Sequence, residues 1–418
     1  MSEDSAQHWA KVDPEGRLVL PAEVARNFGL APGAEVQFVE VTNGLHLHRP
    51  ITSLAKIYIE PTNLCNLTCR TCVRNAWTEP LGRMSDFVFN RVIESVRNLS
   101  SPPTIFFGGL GEPLFHPRIV EMVAQTRQAG CRVELITNGT LLDVHLSKDL
   151  VEAGLNLLWV SIDGANPESY ADVRLGAALP QIIKNIEGFH AHRRKLDDSK
   201  PEIGIAFVAM KQNINELPAV LRLCTRLRAS RIMISNVLPY TREFCGEVLY
   251  SRVLGEITKV PSPWVPSLDL PRMDANETTR EALHYIRRGG YNLSYNGDYF
   301  GRSTDRCPFI ERGATAIGWD GSLSPCLPLM HDHDSYLDES TRHSRRYVIG
   351  NISEHSLDEL WEQPDYMSFR RRVQAFDFSP CTLCGGCELR DTNEEDCYGN
   401  TFPTCGGCLW AQNVIQCP

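Results

Sequence analysis

Cys65-Asn66-Leu67-Thr68-Cys69-Arg70-Thr71-Cys72 places three cysteines within eight residues, in a C-x3-C-x2-C spacing. The run before it, Lys56-Ile57-Tyr58-Ile59-Glu60, is strand-like, and Pro61 and Asn63 break it. The cysteines therefore sit on a loop that follows a strand. Three thiolates on one loop hold three corners of a cubane iron–sulfur cluster and leave the fourth iron free for another ligand. A structural zinc loop is the alternative, but it normally closes its tetrahedron with a fourth Cys or His nearby. Here the next residues are Val73, Arg74 and Asn75.

Outward from that loop, 418 residues suggest two to three domains at about 100–200 residues each. Segments 1–50, 51–302 and 303–418 differ in pattern. An apolar content of 42% is enough for sizeable cores, and a net charge of −9 argues against nucleic acid as the main partner. No run approaches the roughly 18 apolar residues of a membrane span. The start, Met1-Ser2-Glu3-Asp4, is acidic and has no apolar stretch behind it, so a cytoplasmic protein is expected. Fifteen cysteines in such a chain read as metal ligands rather than disulfides. Three are in the loop, nine lie between Cys307 and Cys417, and Cys131, Cys224 and Cys245 read as packing residues.

The central segment alternates strands with amphipathic helices. Strands are expected at 57–60, 104–107, 132–137, 157–162, 202–209 and 231–236, and helices at 86–99, 117–129, 146–153, 179–194 and 217–227. Alternation of this kind implies a parallel sheet with right-handed crossovers. Six units rather than eight imply an α/β fold, a partial (β/α)6 TIM-type barrel, with chemistry at the C-terminal ends of its strands. Polar and glycine-rich stretches fall there: Gly108-Gly109-Leu110-Gly111-Glu112-Pro113, Thr137-Asn138-Gly139 and Ser161-Ile162-Asp163-Gly164, with Arg174 farther on. Read alone these are turn chemistry, and Asp163 can equally cap the turn after it. Trp77, Arg70 and Arg74 flank the cysteine loop, either shielding it or simply packing. Pro261-Ser262-Pro263-Trp264-Val265-Pro266 is a proline-rich bridge, a lid or a linker.

The cysteine loop resembles the signature of the radical S-adenosylmethionine (radical SAM) superfamily. The resemblance implies a 4Fe–4S cluster on Cys65, Cys69 and Cys72 whose open iron binds SAM, and reductive cleavage of SAM to a 5′-deoxyadenosyl radical. It also implies SAM contacts. Gly109, Gly111 and Glu112 match the motif that meets the amino group, Asn138 and Ser161 match ribose-facing positions, and Asp163 and Arg174 match a pair of which the arginine meets the methionine carboxylate.

The C-terminal segment holds Cys307 and Cys326 about a hairpin signal, then Cys381, Cys384, Cys387, Cys397, Cys405, Cys408 and Cys417. It resembles the SPASM domain, which carries two auxiliary clusters, so three 4Fe–4S clusters are implied in all. Two cubanes need about eight thiolates, and nine are present. The tail departs from the family's usual spacing. By order, Cys307 and Cys326 share the inner cluster, and Cys381 and Cys384 the outer. A zinc ribbon built from Cys381, Cys384, Cys405 and Cys408 is the alternative. Related sulfatase-maturing enzymes place an Asp base after the second cysteine; here it is Leu327. The run His331-Asp332-His333-Asp334 reads first as a solvated loop, and second as a metal site or base.

The first fifty residues read as short strand, helix 22–28, strand 35–41, an Asn43-Gly44 turn and a strand at 45–48. With Gly16-Arg17-Leu18-Val19-Leu20-Pro21 and Pro32-Gly33 they resemble an AbrB-like swapped-hairpin domain, which implies a homodimer. That family usually binds DNA. Here Lys11, Arg17, Arg26 and Arg49 face Glu3, Asp4, Asp13, Glu15, Glu23, Glu35 and Glu40, a poor match to a phosphate backbone, so protein docking or dimerisation is expected instead. Head, barrel and tail together resemble the maturases associated with tungsten cofactor oxidoreductases. That resemblance implies a protein or peptide substrate linked to a tungsten–pterin oxidoreductase, and a low-potential donor such as ferredoxin or flavodoxin. A ribosomal-peptide crosslinking enzyme and a redox-sensing DNA regulator are the competing readings.

Overall fold

A computed structural model describes residues 8–41, 44–99, 101–195, 201–250, 267–270, 292–295, 298–300, 306–337, 340–382 and 387–418. Six short runs, most of them rich in β-branched and aromatic residues, form parallel strands: β1 (Lys56–Ile59), β2 (Thr104–Phe107), β3 (Arg132–Thr137), β4 (Leu157–Ser161), β5 (Glu202–Ala209) and β6 (Arg231–Asn236). They pair in chain order, from β1 to β6. The crossovers carry α1 (Asp86–Asn98), α2 (Ile119–Gln128), α3 (Val144–Glu152), α4 (Pro167–Val173), α5 (Leu179–Lys195) and α6 (Leu217–Arg226). The expected partial (β/α)6 barrel is thus the fold. Sequence reading missed α4, although Asn166 caps it by accepting from Glu168 N at 3.0 Å and Pro167 opens it.

Alternation along the strands sorts the core. Ile57, Ile59, Ile105 and Phe107 pack under the helices, whereas Tyr58, Phe106 and Trp159 join a separate inner cluster. Each such side chain contributes about 1.5–3 kcal/mol by leaving water. On α1, Val88, Phe89, Val92, Ile93 and Val96 form the buried stripe, and Ser85 Oγ starts the helix by accepting from Val88 N at 3.2 Å. That cap contributes about 1 kcal/mol.

The C-terminal domain extends the same sheet. After α7 (Pro308–Glu311), β7 (Ala314–Ile317) pairs in parallel with β1, and β8 (Ser322–Ser324) and β9 (Gly350–Asn351) follow antiparallel. The sheet order is β6-β5-β4-β3-β2-β1-β7-β8-β9. Two helices, α8 (Leu357–Trp361) and α9 (Pro364–Ala375), pack behind it. The tail then spans the two strands that a closed barrel would pair. Asn236 of β6 donates to Val414 O at 2.8 Å, and Lys56 and Tyr58 of β1 donate to Pro418 O at 3.0 and 2.8 Å.

The head has two-residue strands Lys11–Val12 and Leu18–Val19, a helix Ala22–Asn27, and a hairpin of Phe38–Val41 with Gly44–Leu47. It exposes Trp9, Val12, Leu18, Phe28, Phe38 and Leu45. Its connection to the barrel is pinned on α8 and α9: Trp361 Nε1 donates to Thr52 O at 2.9 Å, Arg370 Nε to Ile51 O at 3.0 Å and Gln374 Nε2 to Arg49 O at 3.1 Å. The boundary expected at 302, the proline-rich bridge and Cys384 lie outside the described residues.

Candidate iron–sulfur and SAM site

Pro61 stops β1, and Thr62 and Asn63 anchor the loop after it. Thr62 Oγ1 donates to Gly82 O at 2.6 Å and Asn63 Nδ2 to Pro80 O at 2.8 Å, while Asn63 Oδ1 accepts from Gly82 N at 2.8 Å. The loop is thereby closed at its neck, with Cys65, Cys69 and Cys72 inside it. Leu67 N points at Cys65 Sγ at 3.4 Å, and Cys72 N bonds Cys69 O at 3.1 Å. The three sulfurs are near enough for their charges to interact. Burial, above all, pushes the Cys69 and Cys72 thiols up, and the Arg174 charge works against it. Such thiols ionise readily only when a cation binds them, which suits metal ligands better than free nucleophiles. Arg70 pairs with Asp172 at 2.6 Å and with Glu243, and Arg74 donates to Leu67 O at 3.4 Å, so both arginines brace the loop.

The glycine turn after β2 lies against this loop. Gly109 has φ +130°, and a Cβ there would meet the Glu60 side chain at 2.7 Å; one on Gly111 would meet Thr62 O at 2.1 Å. Only glycine permits that approach. Glu112 is buried, and burial raises its pKa. Its Oε1 accepts from Leu114 N at 3.0 Å and Thr137 Oγ1 at 2.8 Å, and its Oε2 from Asn138 N at 2.7 Å. The carboxylate therefore ties the turn to the end of β3. Asn138 goes on to the cysteine loop, its Nδ2 lying 3.0 Å from Asn66 Oδ1 and 3.8 Å from Cys65 Sγ.

At the end of β4, Ser161 O accepts from Tyr170 OH at 3.3 Å. Asp163 does not cap the turn after it. It accepts from Val208 N at 2.9 Å and pairs with Arg174 Nε at 2.7 Å, and Glu216 takes the turn's Ala165 and Asn166 N–H groups at 2.8 and 2.9 Å. Gly109, Gly111, Glu112, Asn138, Ser161, Asp163 and Arg174 thus gather at the C-terminal ends of β2, β3 and β4 and on α4's exit, around the loop.

The His331–Asp334 run corrects the expectation of a solvated loop. His331 is 5% exposed, and its Nε2 lies 2.9 Å from Oε2 of the fully buried Glu60; its ring meets Trp77 edge-on at 4.9 Å. No local signal marks it, because its partner is 271 residues away and Asp332 and Asp334 make the run look polar. Burial alone would lower the His331 pKa, but hydrogen bonding and charge from Glu60, with Glu79 behind, outweigh it and raise it. A raised histidine stabilises the fold below its unfolded value of about 6.5, and that stabilisation fades as pH climbs through the folded value. Glu60→Gln should remove the effect. Anaerobic melting temperatures from about pH 6 to pH 8 should then show less loss in the variant than in the parent; equal slopes would contradict the pairing.

The C-terminal cysteines divide. Cys307, Cys326, Cys405 and Cys408 line one cavity, together with Arg342 and His333. Burial and then mutual charge push Cys307 up to about 12 and Cys326 and Cys405 well above the ordinary range. Backbone N–H groups of Phe309 and Ile310 point at Cys307, and those of Trp410 and Ala411 at Cys408, as at cluster thiolates. Cys381 instead neighbours Cys397 and bonds Ser379 Oγ at 2.9 Å, and Cys387 is exposed. Arg342 feels the charge of both sets. Cys417 lines a different cavity with Tyr58 and Arg312, and accepts from Trp410 Nε1 at 3.2 Å. Of the four cysteines of the zinc-ribbon alternative, Cys405 and Cys408 share the cavity, Cys381 neighbours Cys397, and Cys384 lies outside the described residues. Cys131 and Cys224 are buried packing residues, each pushed up to about 11.

An open parallel barrel with three cysteines on the loop after its first strand, and a cysteine-lined cavity in the domain that extends its sheet, defines an iron–sulfur radical enzyme. The model of the radical SAM superfamily matches residues 59–224, and that of the SPASM iron–sulfur cluster-binding domain matches residues 307–388. A tungsten-containing aldehyde ferredoxin oxidoreductase cofactor-modifying protein of Pyrococcus furiosus is 30% identical over 367 residues, 87% of this chain and 96% of that protein. An Fe-coproporphyrin III synthase of Methanosarcina barkeri is 30% identical over 391 residues, 85% of this chain and 87% of that one. Among solved structures, native anSMEcpe with bound AdoMet and the Cp18Cys peptide aligns with a TM-score of 0.52 at 20% identity, covering 87% of this chain and 97% of that one. The chain belongs to the radical SAM superfamily and carries a SPASM domain. It is an enzyme, with SAM, a 4Fe–4S cluster and auxiliary iron–sulfur clusters as the cofactors of its family. No helix among the described residues is long and apolar enough to cross a membrane.

Proposed function

We propose that this enzyme modifies a protein or peptide during maturation of a tungsten-containing aldehyde oxidoreductase. The observation that carries this reading is the 30% identity that extends over 96% of the Pyrococcus cofactor-modifying protein. When bound at the loop, the cluster and SAM supply a 5′-deoxyadenosyl radical. The chain's own residues then hold and orient. Cys65, Cys69 and Cys72 would ligate three irons. Gly109 and Gly111 would let backbone approach SAM, and Glu112 Oε2, bonded to Asn138 N alone among the described residues, would accept from its ammonium group. Asn138 and Ser161 would meet the ribose. Asp163 holds Arg174 through Nε, which would leave the guanidinium's terminal nitrogens for the methionine carboxylate. His331, held by Glu60 at the C-terminal end of β1, keeps its proton more firmly than a free imidazole.

The division of the tail supports a count of three cubanes. Cys307, Cys326, Cys405 and Cys408 hold the inner auxiliary cluster, and Cys381, Cys384, Cys387 and Cys397 the outer. Cys417 is the spare thiol. The two in a row carry electrons between a ferredoxin- or flavodoxin-type donor in the cytoplasm and the barrel. The exposed apolar residues of the AbrB-like head support pairing with a second head, so a homodimer, not DNA, is its partner.

A second reading, a tetrapyrrole or similar cofactor as substrate, is favoured by the similarity to the Fe-coproporphyrin III synthase. Anaerobic incubation of reconstituted protein with SAM, reductant and either partner separates the two. A mass change on the tungsten oxidoreductase or its peptide, with 5′-deoxyadenosine formed in step, supports the first. A change only on the porphyrin overturns it.

A further inference from the structure

His46 lies on the second hairpin strand of the head and His48 two residues on, so an extended chain turns both imidazoles to one side. They meet Glu311, the last residue of α7, the one-turn helix that begins directly after Cys307. His48 Nδ1 lies 2.8 and 3.0 Å from the two Glu311 oxygens. His46 Nε2 lies 3.9 Å from Oε2, and the two rings sit edge to face with centroids 4.7 Å apart. One ligand atom from each residue falls within 4.8 Å of the others. Nε2 of His46 is closed off from solvent and has no hydrogen-bond partner. An unsatisfied buried polar atom of this kind costs about 1–3 kcal/mol.

We propose that His46, His48 and Glu311 bind one divalent cation of the zinc type, which fastens the head to the C-terminal domain beside Cys307. Imidazole nitrogen and carboxylate oxygen are ordinary zinc donors, and a His2Glu set leaves a fourth position for water. Neighbouring donors around tetrahedral zinc lie about 3.4 Å apart, so the set closes with shifts of about 1 Å or less. The ion takes the place of the proton shared by His48 and Glu311, and it supplies the partner that His46 Nε2 lacks. Arg306 is the opposing charge near His46, and the Glu311 carboxylate offsets it. The site carries no thiolate, which separates it from every iron site in the chain.

The test uses full-length protein reconstituted with iron and sulfide, equilibrated with zinc, stripped of loose metal on a chelating resin and counted by plasma mass spectrometry. About one zinc per chain is expected beyond a full iron complement. His46→Gln removes the Nε2 that has no hydrogen-bond partner within reach, and Glu311→Gln removes the carboxylate. Each should weaken zinc binding by about tenfold or more with iron unchanged. Zinc should also slow proteolytic clipping between head and barrel in the parent and not in His46→Gln. Three results would overturn the site: no zinc retained by the parent, equal zinc in parent and His46→Gln, or zinc lost only together with iron.

Discussion

Replacing Cys65, Cys69 and Cys72 together with alanine removes about four irons per chain and abolishes formation of 5′-deoxyadenosine from SAM. The loop neck is closed by Thr62, Asn63 and Gly82, not by the cysteines, so the barrel should still fold without the thiols. Iron analysis and anaerobic turnover read the two losses. They should coincide, because the same three sulfurs that hold the cluster leave one of its irons to SAM. Persistence of SAM cleavage in the alanine variant would place the chemistry elsewhere in the chain.

Cys408→Ala takes the iron count from about twelve to about eight, while Cys417→Ala leaves it near twelve. Geometry separates the two thiols. Cys408 lines the same cavity as Cys307, Cys326 and Cys405, and receives N–H groups from Trp410 and Ala411. Cys417 lines another cavity, with Tyr58, and its sulfur already accepts from Trp410 Nε1 at 3.2 Å. SAM cleavage by chemical reductant should survive in both variants, whereas turnover that needs the auxiliary clusters should fail only in Cys408→Ala. Loss of four irons from Cys417→Ala would reverse the assignment.

What the sequence made legible was local. Runs such as Thr104–Phe107 and Arg132–Thr137, bounded by Pro and Gly or by Cys and Asn, announce strands because apolar content and breakers act within a few residues. The C-x3-C-x2-C loop and the glycine turn at 108–111 are likewise contiguous, so residue type and spacing suffice. Pairs distant in sequence were not legible. Nothing at Ala314–Ile317 says that it adds in parallel to β1, since a strand's partner is decided by the whole sheet. Glu60 and His331 look like a surface acid and a loop histidine until the fold buries them together. His46 and His48 read only as strand alternation, because Glu311 supplies the third corner from 263 residues away. Asp163 can pass for a turn cap in sequence because its true partners, Val208 N and Arg174, are set by tertiary packing.

Beneath these predictions lies one claim: a single iron of the loop cluster carries no protein ligand and takes SAM. Low-temperature EPR of the dithionite-reduced protein, recorded with and without SAM, tests it most directly. Addition of SAM should change the spectrum of one cluster, and Cys69→Ala should lose both that signal and its response. A spectrum that SAM leaves unaltered in fully iron-loaded parent protein would contradict the claim.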